Sequence, residues 1–283
     1  MISHPNVKLN LGLDVLRKRE DGYHDIDTVF IPFPGISDTL EIVHGDAWNE
    51  TLAHIRSAYS PQETAQSITP DGKVMITIAK RGGVGWDPLK DLTVKACGEM
   101  DRILPKGLPP VKIVLEKTSP VGAGLGGGSS DGAFALRMLR DLFAPEVTDG
   151  TLAELAGRLG SDCPFFVHNR PMHGMGRGEI LSPVPDPVPD GYEIRVITPE
   201  GIAVSTADAY AGILPSLPKR PIMGIIRDDI RSWRGVLKND FETTVFRKYP
   251  ELKGIKEKLY AEGAVYASMT GSGSSVFGIF EKK

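Results

Sequence analysis

Between Thr118 and Ala135 the chain reads TSPVGAGLGGGSSDGAFA, and no other stretch restricts its possible folds as strongly. Six of these residues are glycine (Gly122, Gly124, Gly126, Gly127, Gly128 and Gly132), and Ser129 and Ser130 follow the consecutive run. Upstream, Val111-Lys112-Ile113-Val114-Leu115 is apolar and β-branched enough to form a strand. Downstream, Ala133, Leu136, Leu139 and Phe143 recur at the three- and four-residue spacing of a buried helical stripe. The order is therefore strand, glycine loop, helix, with Ser129, Ser130 or Asp131 as candidate N-caps.

Glycines at this density let the main chain adopt positive φ and bring backbone N–H groups close to a ligand. At a helix start those N–H groups lack intrahelical partners, and the helix dipole adds a partial positive charge. The combination suits phosphate. A tight turn of small residues explains one or two glycines but not this run. Two familiar phosphate loops do not fit. A Walker A loop requires a lysine between the last glycine and the serines, and none stands there. Gly122, Gly124 and Gly127 spell GxGxxG, but a dinucleotide fold also needs a second strand ending in an acidic residue about twenty positions on. Asp141 lies at that distance inside the helical stripe, so the context fails.

With 283 residues the chain has room for two medium domains or one large one. A formal net charge of -3 gives no electrostatic reason to expect nucleic acid or a membrane surface as partner. Phosphate affinity must then come from a local site. Cys97 and Cys163 have no spaced ligand set around them, which points to reduced thiols rather than a disulfide scaffold or structural zinc. No apolar segment approaches spanning length and no signal-peptide pattern opens the chain, so a soluble, cytoplasmic protein is expected.

Near the start, residues 6–13 (NVKLNLGL) alternate as a strand with Val7, Leu9 and Leu11 on one face and Lys8 and Asn10 on the other. Taken alone, Lys8 reads as a solvated lysine on an edge strand. Asp21-Gly22 marks a hairpin tip. The adjacent Tyr23 and His24 can stack on a ligand ring or cover a sheet edge, and both readings stay open. Residues 45–73 read as a surface excursion with one short helix and no catalytic signal. Val74–Ile78 is a strand, and Leu92–Leu104 a helix with Leu92, Ala96, Met100 and Ile103 inward. Thr151–Leu159 is a second amphipathic helix closed by Gly160. In Gly160-Ser161-Asp162-Cys163-Pro164, Asp162 either caps the next helix or offers a carboxylate to a substrate hydroxyl. The PVPDPVPDG connector at 183–191 marks a hinge region. Beyond it come a strand at Glu193–Thr198, a helix opened by Ser205 and holding Tyr210, and helical segments at Ile222–Trp233 and Leu252–Leu259. Strands at Tyr266–Met269 and Val276–Phe280 flank a second glycine–serine loop, Thr270-Gly271-Ser272-Gly273-Ser274-Ser275.

Three segments together, PNVKLNLGL at 5–13, PVGAGLGGGSSDGA at 120–133 and MTGSGSSVFG at 269–278, resemble the motifs of the GHMP small-molecule kinases. Asp21-Gly22-Tyr23-His24 and Gly160-Ser161-Asp162-Cys163-Pro164-Phe165-Phe166 narrow the resemblance to members of that superfamily acting on a cytidine diphosphate alcohol. The resemblance spans the whole chain. It implies an α+β, two-domain GHMP kinase fold: a ribosomal S5 domain 2-like N-terminal domain over 1–173 and a ferredoxin-like C-terminal domain over 174–283. It implies ATP-dependent phosphorylation of the 2-hydroxyl of 4-diphosphocytidyl-2-C-methyl-D-erythritol, in the non-mevalonate route to isoprenoid precursors, with magnesium as cofactor.

Carried onto this chain, the resemblance makes Asp162 the catalytic base and Lys8 its charged partner, with Asn10 orienting the same end of the substrate. Tyr23, His24 and Tyr210 take the cytosine. Pro120, Gly122, Ala123, Gly124, Leu125, Gly126, Gly127, Gly128, Ser129 and Ser130 form the ATP phosphate cradle, with Ser130 the candidate magnesium ligand. The partners implied are ATP and the cytidine diphosphate substrate alone, in a monomer or weak homodimer. Asp91 and Asp131 stand where asparagine is seen in the family, so the charge of Asp131 should point away from a bound polyanion. The other readings are a homoserine or mevalonate type of GHMP kinase, which has no pyrimidine for Tyr23 and His24 to stack on, and a regulator that has lost catalysis, against which Lys8 and Asp162 speak.

Overall fold

The computed structural model describes residues 1–282. In chain order it runs β1 (Ile2–Ser3), β2 (Asn6–Lys18), β3 (His24–Ser37), β4 (Thr39–His44), α1 (Glu50–Ala58), β5 (Thr64–Ile68) and β6 (Val74–Lys80). Then follow α2 (Leu92–Ile103), β7 (Val111–Lys117), α3 (Gly127–Phe143), α4 (Asp149–Leu159), α5 (Cys163–His168), β8 (Met172–Gly176), β9 (Ile180–Pro183) and β10 (Tyr192–Ile197). The chain closes with α6 (Thr206–Tyr210), α7 (Ile222–Ile225), α8 (Phe241–Lys248), α9 (Pro250–Ala261), β11 (Tyr266–Met269) and β12 (Val276–Glu281). Its residues form two compact units. One comprises Met1–Val7, Phe33–Ser119 and Gly127–His168; the other comprises Lys8–Pro32, Pro120–Gly126 and Asn169 onward.

The first unit is a five-stranded sheet in the order β1-β4-β7-β6-β5. Register decides which side chains share a face. Ile113 pairs with Ile42 on one side and Ile76 on the other, and Leu115 with Leu40 and Ile78, so one face carries a continuous apolar layer. Helices α3 and α2 lie on this sheet, against β4 and β6 respectively, and α3 packs in turn with α2 and α5. Val114, on the opposite face of β7, packs instead with Ile55 of α1 and Ala79. Lys117 continues the Val111-Ile113-Leu115 face, a position that turns a cation toward the helical layer.

In the second unit, β10, β12 and β11 form an antiparallel sheet backed by α9, with Leu252, Leu259, Ala267, Met269 and Phe280 in its core. A four-stranded sheet takes the order β2-β3-β8-β9. The expected β2–β3 turn forms, with the Arg19 N–H donating to Tyr23 O at 2.8 Å and Gly22 N–H to Arg19 O at 3.2 Å.

Several expectations need correction. The 45–73 segment supplies α1 but also β5, the edge strand of the five-stranded sheet; its TAQSI sequence has only one large apolar residue, because an edge strand needs little. Residues 222–233 are α7 and a separate 3-10 turn at Ile230–Ser232, not one helix. Helix α8 forms over Phe241–Lys248, where the sequence pattern predicts no element. In α2, Ala96 and Met100 are buried as expected, whereas Ile103 is exposed at the helix end. Helix α3 begins at Gly127, so Ser129, Ser130 and Asp131 are inside it rather than capping it.

Candidate active site

In the second unit the two glycine–serine loops lie against each other. Gly122, Gly124 and Gly126 all have positive φ. At Gly124, φ is +76°, and a methyl group would overlap the Thr270 carbonyl oxygen and lie 3.0 Å from Gly273 O. Ser275 N–H donates to Ala123 O at 3.1 Å and Lys8 N–H to Leu125 O at 2.9 Å. Asn239, buried, clamps the second loop by donating from Nδ2 to Met269 O at 2.8 Å and Gly271 O at 2.9 Å. Backbone meets backbone here, and only glycine permits that approach.

Beside this pair lies a buried polar line on β2 and β3. Lys8 Nζ donates to Asn10 Oδ1 at 2.6 Å and stands 5.2 Å from the centre of the Phe30 ring. Asn10 Nδ2 donates to Thr28 Oγ1 at 3.0 Å, and Thr28 Oγ1 to Gly12 O at 2.6 Å. Asn10 N–H donates to Thr270 Oγ1 at 3.1 Å, which links the line to the second loop. Lys8 is only 4% exposed, so the reading of a solvated edge lysine is excluded.

His24 stacks on Tyr210 with ring centroids 4.5 Å apart and planes 18° from parallel. Phe241 holds Tyr210 from behind, edge-on at 4.7 Å. A base between two rings needs them roughly 7 Å apart, twice a van der Waals spacing, so His24 and Tyr210 present one stacked wall rather than two faces of a slot. Tyr23 is 56% exposed, with the Arg177 guanidinium 4.8 Å from its ring centre. Burial, helped by Lys18, lowers the His24 pKa and so favours the neutral imidazole.

In the first unit, α3 opens with Gly127, Gly128, Ser129 and Ser130. The Ser130 Oγ is fully buried and has no hydrogen-bond partner within the protein. An orphaned hydroxyl in a helix's first turn fits a phosphate oxygen or a hydrated magnesium ion. Among the described residues no group of three or more His, Cys, Asp or Glu side chains forms a metal cage.

Lys117 lies between two carboxylates, its Nζ 2.5 Å from both Asp38 Oδ2 and Asp131 Oδ2. Asp38 also accepts from Thr118 N–H and Ser119 N–H at 2.7 Å each and from Ser119 Oγ at 2.6 Å. Burial works to raise the Asp38 pKa, but Lys117 and these donors hold it below the usual range. Burial dominates at Asp131 and raises its pKa well above that range. Neither Lys117 nor Asp38 was singled out from sequence; a lysine on the buried face of an apolar strand was the available signal. Asp162 immediately precedes α5. Its neighbour Cys163 is a free, buried thiol, pushed up to about 12 by burial, and so is no nucleophile.

Two family models match the chain: GHMP kinases N terminal domain over residues 91–170 and GHMP kinases C terminal over residues 223–283. With the mixed helices and strands, they set the class as a GHMP kinase fold. A Bacteroides fragilis protein named 4-diphosphocytidyl-2-C-methyl-D-erythritol kinase is 41% identical over 281 residues, covering 99% of this chain and 92% of its own. A protein of the same name from Parabacteroides distasonis is 39% identical, covering 100% of this chain and 92% of its own. A crystal structure of 4-(cytidine 5'-diphospho)-2C-methyl-D-erythritol kinase matches with a TM-score of 0.75 at 31% identity, covering 98% of this chain and 89% of that one. The chain belongs to the 4-diphosphocytidyl-2-C-methyl-D-erythritol kinase family and is an ATP-dependent small-molecule kinase. Among the described residues no helix is long and apolar enough to cross a membrane.

Proposed function

We propose that this kinase transfers the γ-phosphoryl group of ATP to the 2-hydroxyl of 4-diphosphocytidyl-2-C-methyl-D-erythritol, a step toward isoprenoid precursors. Near-full-length identity to relatives of that name carries the reading. The buried Lys8–Asn10–Thr28 line and the paired glycine loops are consistent with it.

Phosphoryl transfer asks a protein for positioning and charge stabilisation more than for covalent chemistry. Asp162 accepts the hydroxyl proton as the substrate oxygen bonds to the γ-phosphorus, and the bond to the bridging oxygen breaks with its electrons leaving on ADP. Lys8, oriented by Asn10, stabilises charge on the transferring group. Backbone N–H groups of residues 120–130 hold the phosphates. Ser130 is the chain's candidate contact for magnesium, which when bound with ATP offsets phosphate charge. A neutral His24 can donate at one ring nitrogen and accept at the other, as the edge of a pyrimidine requires. Tyr23 and the His24–Tyr210 wall offer ring faces to the same base.

The test is Asp162→Asn. ADP release that depends on the cytidine diphosphate substrate should fall by about a thousandfold, while affinity for a non-hydrolysable ATP analogue stays at the parent value. Near-parental turnover would remove Asp162 from the mechanism.

A further inference from the structure

We propose that Asp38, Lys117 and Asp131 form a positioning network that fixes the first turn of α3 in the pose required by the nucleotide's phosphates. The inference rests on the assignment of the glycine loop to ATP.

The geometry lies wholly within the first unit. Asp38 takes the N–H groups of Thr118 and Ser119, the Ser119 hydroxyl and the Lys117 ammonium, so a single carboxylate fastens the end of β7. Lys117 then reaches Asp131, one turn into α3, at 2.5 Å. The start of the helix rests directly on this cluster. A methyl group at Gly127 would overlap Ser119 Oγ and come within 3.1 Å of Lys117 Nζ. Next to Asp131 in the chain is Ser130, whose buried hydroxyl has no protein partner.

Stability alone gives no reason for such a cluster. Desolvating three ionisable groups costs about as much as their attraction returns, and apolar side chains of similar volume often do as well or better. What the ionic arrangement adds is direction. Two short bonds from one ammonium set the distance between a strand end and a helix start, whereas an apolar contact would let them slide. A phosphate cradle depends on placement of that kind, since a displacement of about 1 Å can cost a hundredfold in rate. It also gives Asp131 a use for its carboxylate, which is turned onto Lys117.

Asp131→Ala removes the tether but leaves the neutral Asp38–Lys117 pair, and Asp131→Asn keeps an amide oxygen able to accept from Lys117. We expect Asp131→Ala to weaken binding of a non-hydrolysable ATP analogue, measured by calorimetry, and to raise the KM for ATP, each by about tenfold. The KM for the cytidine diphosphate substrate should stay within about twofold, and Asp131→Asn should restore analogue affinity. Parental affinity in Asp131→Ala, equal losses in both variants, or a parallel rise in both KM values would overturn the network. If Asp131→Ala loses its cooperative melt, Asp38→Asn/Lys117→Met/Asp131→Leu removes the ionic network without leaving a buried carboxylate unpaired. The same loss of analogue affinity is expected there, and parental affinity overturns the proposal. A parent protein that fails to bind the analogue would instead overturn the assignment of the glycine loop to ATP.

Discussion

At the scale of single residues, the glycines of the 118–135 stretch divide into two kinds. Gly124 is required because the second loop occupies the space a side chain would need and because its φ is +76°. Gly128 has no atom near the position of a Cβ, so its role there is not steric within this chain. The two cannot be distinguished from sequence, since both are simply members of a run. Gly124→Ala should therefore destabilise the protein by roughly 2 kcal/mol or more, from backbone strain and overlap together, read as a lower denaturation midpoint. A parental midpoint would show that the loops do not pack as described. Lys8 shows the reverse limit. Its alternation with Leu9 places it on the opposite face of a strand, but its burial comes from the fold, where Phe30 and Asn10 are among its neighbours.

At the scale of elements, amphipathic pattern identified most of the core. Strands β6, β7, β11 and β12 and helices α2, α3, α4 and α9 announce themselves through apolar periodicity. Strand β5 does not, because an edge strand needs few apolar residues and register holds it in place; helix α8 buries Phe241 and Val245 in the core, but over eight residues that single i, i+4 pair is too short a pattern to stand out. The β2–β3 hairpin joins the two levels: its tip was legible as Asp-Gly, and its Tyr23-His24 end as aromatic. The direct stack of His24 on Tyr210 was not, since nearly two hundred residues separate them along the chain. His24→Ala should raise the KM for the cytidine diphosphate substrate by about tenfold or more, the scale of losing one base stack and a hydrogen bond, with the KM for ATP unchanged. Equal effects on both would place the base elsewhere.

At the scale of the whole molecule, pH acts through buried carboxyls. Asp14 on β2 is buried, its Oδ2 has no hydrogen-bond partner, and its pKa is raised to about 7 by burial and by Asp240 and Asp27, against an opposing effect of Lys238. A carboxyl whose folded pKa exceeds its unfolded value contributes stability that is complete below about pH 4 and is lost as pH rises through about 7. Asp14→Asn should therefore raise Tm by several degrees at pH 8 and leave it near the parental value at pH 4; a uniform shift at both would remove the titration as its cause. None of this is visible in the residues around Asp14, where the chain shows only an acidic position in a strand. What the chain alone determines is local: which segments can be strand or helix, and where glycine lets backbone approach backbone, because propensity and periodicity act over neighbouring residues. Folding decides what depends on desolvation and on pairing between distant segments. Lys117 meets Asp38 and Asp131, Thr270 meets Asn10, and Tyr210 meets His24, because electrostatic strength and ring contact depend on distance in space, which sequence separation does not measure.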